Sequence, residues 1–162
     1  MKKVLLLNPP GERLYLRDQH CSSVSMLSGI LNTEHETIVL DALIERLDED
    51  EAMKQIVNQN PDVIIFITGI ASWVEDLIFM EKVKQETGAV LIVSGGNLRN
   101  NCHTIMKRFS FLDAVLMDYT SSYILNYLRG ETEIFDICIR DGDEIIEKPL
   151  QENKVFTVPT PL

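Results

Sequence analysis

Asp62-Val63-Ile64-Ile65-Phe66-Ile67-Thr68 is an unbroken apolar run between two polar residues, with Asn60-Pro61 ahead of it and Gly69 behind. A strand with one wet face alternates apolar and polar residues, whereas a run without alternation marks a strand covered on both faces. The segment therefore predicts the central strand of a parallel sheet. Downstream, Ser72 and Glu75 stand at capping-box spacing, Val74, Leu77, Ile78 and Val83 form one apolar stripe, and Thr87-Gly88 ends the helix. A strand over Ala89–Val93 then runs into Ser94-Gly95-Gly96. A helix around Thr104–Phe109, a strand over Ala114–Met117 and a helix over Ser121–Leu128 closed by Gly130 complete this half.

Upstream, Lys3–Leu7 is a short apolar run stopped by Asn8-Pro9-Pro10-Gly11, the length and ending of a buried strand. Val24, Met26, Leu27, Ile30 and Leu31 recur at helical spacing, Thr37–Leu40 is β-branched and apolar, and Asp48 with Glu51 caps a helix carrying Ala52, Met53, Ile56 and Val57. Five strands alternating with helices predict a doubly wound parallel sheet of the flavodoxin-like, Rossmann-like kind, strand order 2-1-3-4-5. Ile137–Arg140 and Glu144–Glu147 flank Asp141-Gly142, the signal of a β-hairpin at the sheet edge. The organisation expected is an α/β domain over 1–130, a hairpin over 131–150, and a linker over 151–162, with Pro159 and Pro161, leading to a further domain.

Bulk properties exclude several classes. With 25 acidic against 15 basic residues the formal charge is −10, which repels phosphate backbones and makes nucleic acid an unexpected partner. No apolar run approaches the roughly 20 residues of a membrane span, and the four-residue apolar stretch near the start is unlike a secretory signal, so a cytoplasmic protein is expected. Cys21, Cys102 and Cys138 are far apart along the chain and form no C-x-x-C pair, which predicts free thiols. Neither G-x-G-x-x-G nor G-x-x-x-x-G-K-[ST] follows the first strand, and no G-x-S-x-G is present.

In an open parallel sheet, ligands bind outside the carboxyl ends of the strands. The residues expected there are Asn8, Pro9, Pro10 and Gly11 after strand one, Asp41 after strand two, and Thr68, Gly69 and Ile70 after strand three. Ser94, Gly95, Gly96 and Asn97 follow strand four, and Met117, Asp118, Tyr119 and Thr120 follow strand five. Glycines beside hydroxyls let backbone approach a ligand closely while the hydroxyls form hydrogen bonds; equally, they suit tight turns.

Val4-Leu5-Leu6-Leu7-Asn8-Pro9-Pro10, Pro61 to Gly69, Val93-Ser94-Gly95-Gly96 and Phe111 to Asp118 stand in an order and spacing that resembles the amino-terminal cobalamin-binding domain of radical S-adenosylmethionine enzymes. The likeness covers roughly residues 3 to 130. Leu16-Arg17-Asp18-Gln19-His20-Cys21-Ser22 further resembles a subgroup related to the anaerobic magnesium-protoporphyrin ester cyclase. That subgroup carries a longer aromatic and proline-rich piece before the first helix, whereas here Ser25 runs straight into Met26. Either a deletion or a gap in the chain accounts for this.

The resemblance implies a corrinoid lying on the strand ends, its nucleotide tail threaded between the loops after strands four and five and lined by Thr68, Ser94, Gly95 and Gly96. Leucine at position 95 or 96 should then block the tail and spare the sheet. Asn8, Pro9, Gly69, Ile70, Met117, Asp118 and Thr120 complete the expected cofactor site. Asp18-Gln19-His20-Cys21-Ser22-Ser23 matches the D-x-H-x-x-G motif of better-known cobalamin domains, with Ser for the final Gly, so His20 is either a cobalt ligand or a solvated loop residue. Trp73 either shields the corrin face or packs in the core, and His103 reads as surface.

Radical S-adenosylmethionine chemistry needs three cysteines of a C-x-x-x-C-x-x-C run to hold an iron-sulfur cluster, and this chain has none. The resemblance thus implies a non-catalytic cofactor-binding part of a longer enzyme, whose cluster, S-adenosylmethionine and catalytic barrel lie in a following domain of the same polypeptide. The rival expectation is a docking module of the same fold with no corrinoid.

Overall fold

The structure is a computed structural model that describes residues 1–11 and 22–151. Its strands are β1 (Lys3–Asn8), β2 (Glu36–Asp41), β3 (Val63–Ile67), β4 (Val90–Ser94), β5 (Ala114–Leu116), β6 (Ile137–Asp141) and β7 (Glu144–Lys148). Its helices are α1 (Ser22–Leu31), α2 (Glu49–Gln59), α3 (Trp73–Thr87), α4 (Gly96–Arg99), α5 (Cys102–Arg108) and α6 (Tyr123–Arg129). One sheet runs β2-β1-β3-β4-β5-β6-β7. The first five strands are parallel, and the β6–β7 hairpin extends the β5 edge antiparallel. This is the expected Rossmann-like order with its edge ribbon.

Strand pleating divides the apolar runs between two cores. Val63, Ile65 and Ile67 of β3, with Val4 and Leu6 of β1, pack under α1 and α6. Ile64 and Phe66, with Leu5 and Leu7, pack under α2, α3 and α5. Every residue of β3 is buried, which is why that stretch shows no alternation in the sequence.

Helix boundaries follow local chemistry, with some departures from the sequence reading. The Asp48/Glu51 capping box forms: the Asp48 carboxylate accepts from the Glu51 N–H at 2.8 Å, and the Glu51 carboxylate accepts from the Asp48 N–H at 3.1 Å. The expected Ser72/Glu75 box does not form. Ser72 has a non-extended backbone and its hydroxyl instead donates to buried Asp76 at 2.9 Å, leaving no side-chain cap. On α3 the buried stripe is Leu77, Phe79, Met80 and Val83, whereas Ile78 is half exposed. The segment after β4 is two short helices, α4 and α5, where one helix was expected. Helix α1 runs unbroken through Ser25–Met26.

Gly88 and Gly130 end α3 and α6 in the left-handed conformation, their N–H groups capping carbonyls of the preceding turn. Cys102 and Cys138, distant in sequence, share the core where β6 passes beside α5, near enough for each to influence the other's thiol. Both are free and buried, and burial pushes the Cys138 thiol up to about 12. No helix among the described residues is long and apolar enough to cross a membrane.

Candidate functional site at the strand ends

The parallel register sets the carboxyl ends of β1, β3, β4 and β5 side by side, so the loops expected to hold a ligand lie along one end of the sheet. Three of those loops are tied to one another. The Thr68 N–H donates to the Ser94 carbonyl at 2.9 Å, and the Ser94 hydroxyl donates to the Leu116 carbonyl at 2.9 Å. Thr68 and Ser94 are both buried, and the Thr68 hydroxyl donates to the Gly69 carbonyl at 3.1 Å. The hydroxyls therefore brace the loops.

Gly95 and Gly96 differ sharply. A Cβ on Gly95 would stand 2.8 Å from the Thr68 carbonyl oxygen, while a Cβ on Gly96 would meet nothing within 4 Å. Gly95 is required by the close approach of the β3 and β4 loops, in an extended backbone that any residue adopts. Leucine at 95 therefore cannot spare the local structure as expected, because its first carbon already collides with main chain. Gly96 is exposed and opens α4.

In the loop after β3 Ile70 is 73% exposed, the largest exposure after Met1 among the large apolar side chains of the described residues. It stands between β3 and α3, immediately beyond the strand end. Ile70 follows buried Thr68 by two residues and Thr68 lies against Gly95, so an exposed apolar side chain and an open glycine stand on the adjoining β3 and β4 loops.

The loop after β5 is built by acceptors. Asp118 accepts from the Thr120 N–H at 2.8 Å and its hydroxyl at 2.6 Å, an Asx-type turn that fixes Thr120, while Met117 is buried. Asp136, which sequence reasoning missed, holds this loop from behind. Fully buried with φ of 60°, it accepts from the Ser121 hydroxyl at 2.6 Å and from the Gln151 N–H at 2.8 Å, and its carbonyl accepts from the Met117 N–H at 2.8 Å. The one sequence cue is that Asp tolerates the left-handed region better than most residues.

The β1 end faces a different neighbour. Asn8 is buried and donates to the Asp41 carboxylate at 2.7 Å, and the same oxygen accepts from the Ile44 N–H at 3.1 Å. Pro9 and Pro10 are buried in the turn. A cavity of about 340 Å³ lies there, walled by Pro10, Gly11, Ala42, Leu43 and the start of α2. Trp73 packs edge-on against Phe109, with ring centroids 6.3 Å apart, and covers part of the α3/α5 core. His103 is exposed. His20, Cys21 and the rest of the D-x-H-like stretch before Ser22 lie outside the described residues, among which no cluster of three or more potential metal ligands occurs.

Searches for similar proteins find no matching family model and no matching curated protein. Solved structures do match. OxsB, a cobalamin-dependent S-adenosylmethionine radical enzyme solved with aqua-cobalamin and S-adenosylmethionine bound, superposes with a TM-score of 0.74 at 19% identity. TsrM from Kitasatospora setae, a radical S-adenosylmethionine methyltransferase solved with cobalamin and a 4Fe-4S cluster, gives 0.74 at 14% identity. The matches cover 99% and 98% of this chain but only 24% and 31% of those chains. What is shared is the fold.

Proposed function

We propose that this chain is the corrinoid-binding domain of a longer radical S-adenosylmethionine enzyme, holding cobalamin against the carboxyl ends of β1, β3, β4 and β5. The observation that carries the reading is the pair of adjoining loops at those ends: an exposed Ile70 after β3 and Gly96, whose Cβ position is open, after β4, on loops locked by Thr68 and Ser94. Support comes from the match of fold to OxsB and TsrM, both solved with cobalamin, over nearly all of this chain.

The residues present fit such a ligand. A flat macrocycle needs an apolar seat and backbone it can approach closely, which Ile70 and Gly96 supply, and it needs loops that keep their shape when empty. Ser94, Asp118 and Asp136 give that rigidity through buried or short hydrogen bonds. Thr68 and Ser94 act as braces for a tail channel between the β4 and β5 loops, and Gly96 keeps its mouth clear. When bound, a corrinoid supplies methyl carriage or radical transfer, chemistry that belongs to the cofactor while the protein orients it. The cluster and S-adenosylmethionine are assigned to a radical S-adenosylmethionine barrel in the same polypeptide, consistent with this chain matching only a quarter to a third of the solved enzymes. The resemblance of the Arg17-Asp18 to Cys21-Ser22 stretch supports, as part of this proposal, a member of the anaerobic cyclase-like subgroup.

Titration of the chain with hydroxocobalamin, followed by visible spectrum and calorimetry, tests the reading. Saturable binding that Gly96→Leu weakens at least tenfold is the expected result, and a spectral difference in His20→Ala assigns a cobalt ligand. Saturable binding left intact by Gly96→Leu overturns the channel. Absence of binding, both here and in the full-length enzyme, overturns the corrinoid reading as a whole.

A further inference from the structure

A second cleft of about 320 Å³ opens between the start of α3 and the α4–α5 pair, lined by Trp73, Leu98, Asn101, Thr104, Ile105 and Arg108. Its volume falls at the low end of small-molecule sites, which run from about 300 to 1,000 Å³. Leu98 and Ile105 are buried and make an apolar floor. Trp73 is one wall, held by its edge contact with Phe109. Asn101, Thr104, Ile105 and Arg108 recur at i, i+3, i+4 and i+7, so one face of α5 supplies the opposite wall. Apolar floor, aromatic wall and polar rim together describe a slot for a flat ring that carries a polar group at one end.

The charge of that polar group follows from the α4–α5 wall of the cleft, since Glu75 and Asp76 belong to the first turn of α3 on the other side. In a chain of net charge −10, the stretch from Thr87 to Leu112 contains no Asp or Glu and carries Arg99, Lys107 and Arg108. Arg108 has no carboxylate partner among the described residues; its guanidinium lies over the Phe109 ring, 5.3 Å from the centroid. Stacking of that kind fixes the plane of the fork while leaving its N–H groups for a ligand. We propose that this cleft binds a small planar aromatic anion of the aryl carboxylate class, the ring lying against Trp73 over Leu98 and Ile105 and the carboxylate meeting Arg108, with Asn101 and Thr104 as further polar contacts.

The lining of this cleft differs from the residues proposed for the corrinoid, with Leu98 two residues beyond Gly96 and Trp73 three beyond Ile70. The cleft stands on the α3/α5 side of the sheet and uses none of the residues assigned to the corrinoid, so its test needs no corrinoid. Trp73 is the single tryptophan of the protein, which gives a site-specific probe. In a ¹⁵N-labelled sample of the whole chain, 2-naphthoate should move the one indole N–H resonance saturably. Arg108→Gln, an exposed substitution that leaves the fold alone, should weaken the fitted affinity about tenfold, as expected for loss of a charge-assisted bond. The neutral analogue 2-naphthylmethanol should bind the wild type as poorly as 2-naphthoate binds that variant. An indole resonance that stays still during titration overturns the proposal. Equal affinity for naphthoate and naphthylmethanol, or no loss in Arg108→Gln, also overturns it, since the slot would then be selecting nothing but apolar area.

Discussion

Gly95→Ala should destabilise the protein while Gly96→Ala does not, although the two residues are adjacent and both look like ligand-loop glycines. An alanine methyl at 95 lies 2.8 Å from the Thr68 carbonyl oxygen, 3.5 Å from its hydroxyl and 3.6 Å from its carbonyl carbon, whereas ordinary contact begins near 3.4 Å. The colliding oxygen belongs to main chain that cannot rotate away. Thr68 N–H is bonded to Ser94 at 2.9 Å, and β3 directly before it is paired on both sides. Relief therefore requires the β3 and β4 loops to part, an overpacking cost of about 1–3 kcal/mol. At position 96 the methyl meets nothing and joins a helical turn, so the change is within about 0.5 kcal/mol or favourable. For a chain of this size the first change lowers Tm by roughly 2–10 °C. Urea and thermal melts followed by far-UV circular dichroism read both values. Equal stability of the two variants would refute the close-approach argument.

Three further outcomes follow from particular contacts. Asp48→Ala removes the α2 capping box and should cost about 1 kcal/mol in urea midpoint analysis, with little change in m-value. Burial holds His35 below the ordinary histidine range, so the unfolded chain binds that proton more readily than the folded protein. Stability is then complete above about pH 6.5 and falls as the pH drops below it, and His35→Gln should flatten that acid limb in melts from pH 5 to 8. In a Cys21→Ser background, Cys102 and Cys138 should resist a thiol reagent at pH 8 and react at once in urea, because both are buried and their thiols are held protonated.

Much of the scaffold can be read from one dimension because it depends on local pattern. The unalternated run of β3, the Asp48/Glu51 cap and the glycines ending α3 and α6 each have a mechanism within a few residues, and each appears in the structure. Ser72 and Glu75 have the same spacing as Asp48 and Glu51, yet no box forms, because Asp76 competes for the serine hydroxyl and is itself buried. Ile78 fits a helical stripe on paper, but the face of α3 turned to the sheet carries Phe79 and Met80 in its place. Asp136 and the nearness of Cys102 to Cys138 were out of reach, since each depends on the hairpin folding back along β5. That register is a tertiary fact with no local signature.

The adjacent glycines show how the strand-end site comes to be ambiguous in sequence and resolved in space. Ser-Gly-Gly after a buried strand is compatible with a ligand loop and with a plain turn; the close approach to Thr68 accounts for Gly95, while the Cβ position of Gly96 is open. Gly95 answers to the protein itself: the β3 and β4 loops touch there, and that contact keeps Thr68 and Ser94 in their bracing positions. Gly96 has no such duty within the chain, since a side chain there would point into open space. Nothing within the chain therefore requires glycine at this position. Gly95 thus belongs to the surface shaped by folding, whereas Gly96 and the exposed Ile70 belong to the surface on which the proposed corrinoid site rests. Gly96 is accordingly the position where added bulk should reach the ligand without first disturbing the sheet.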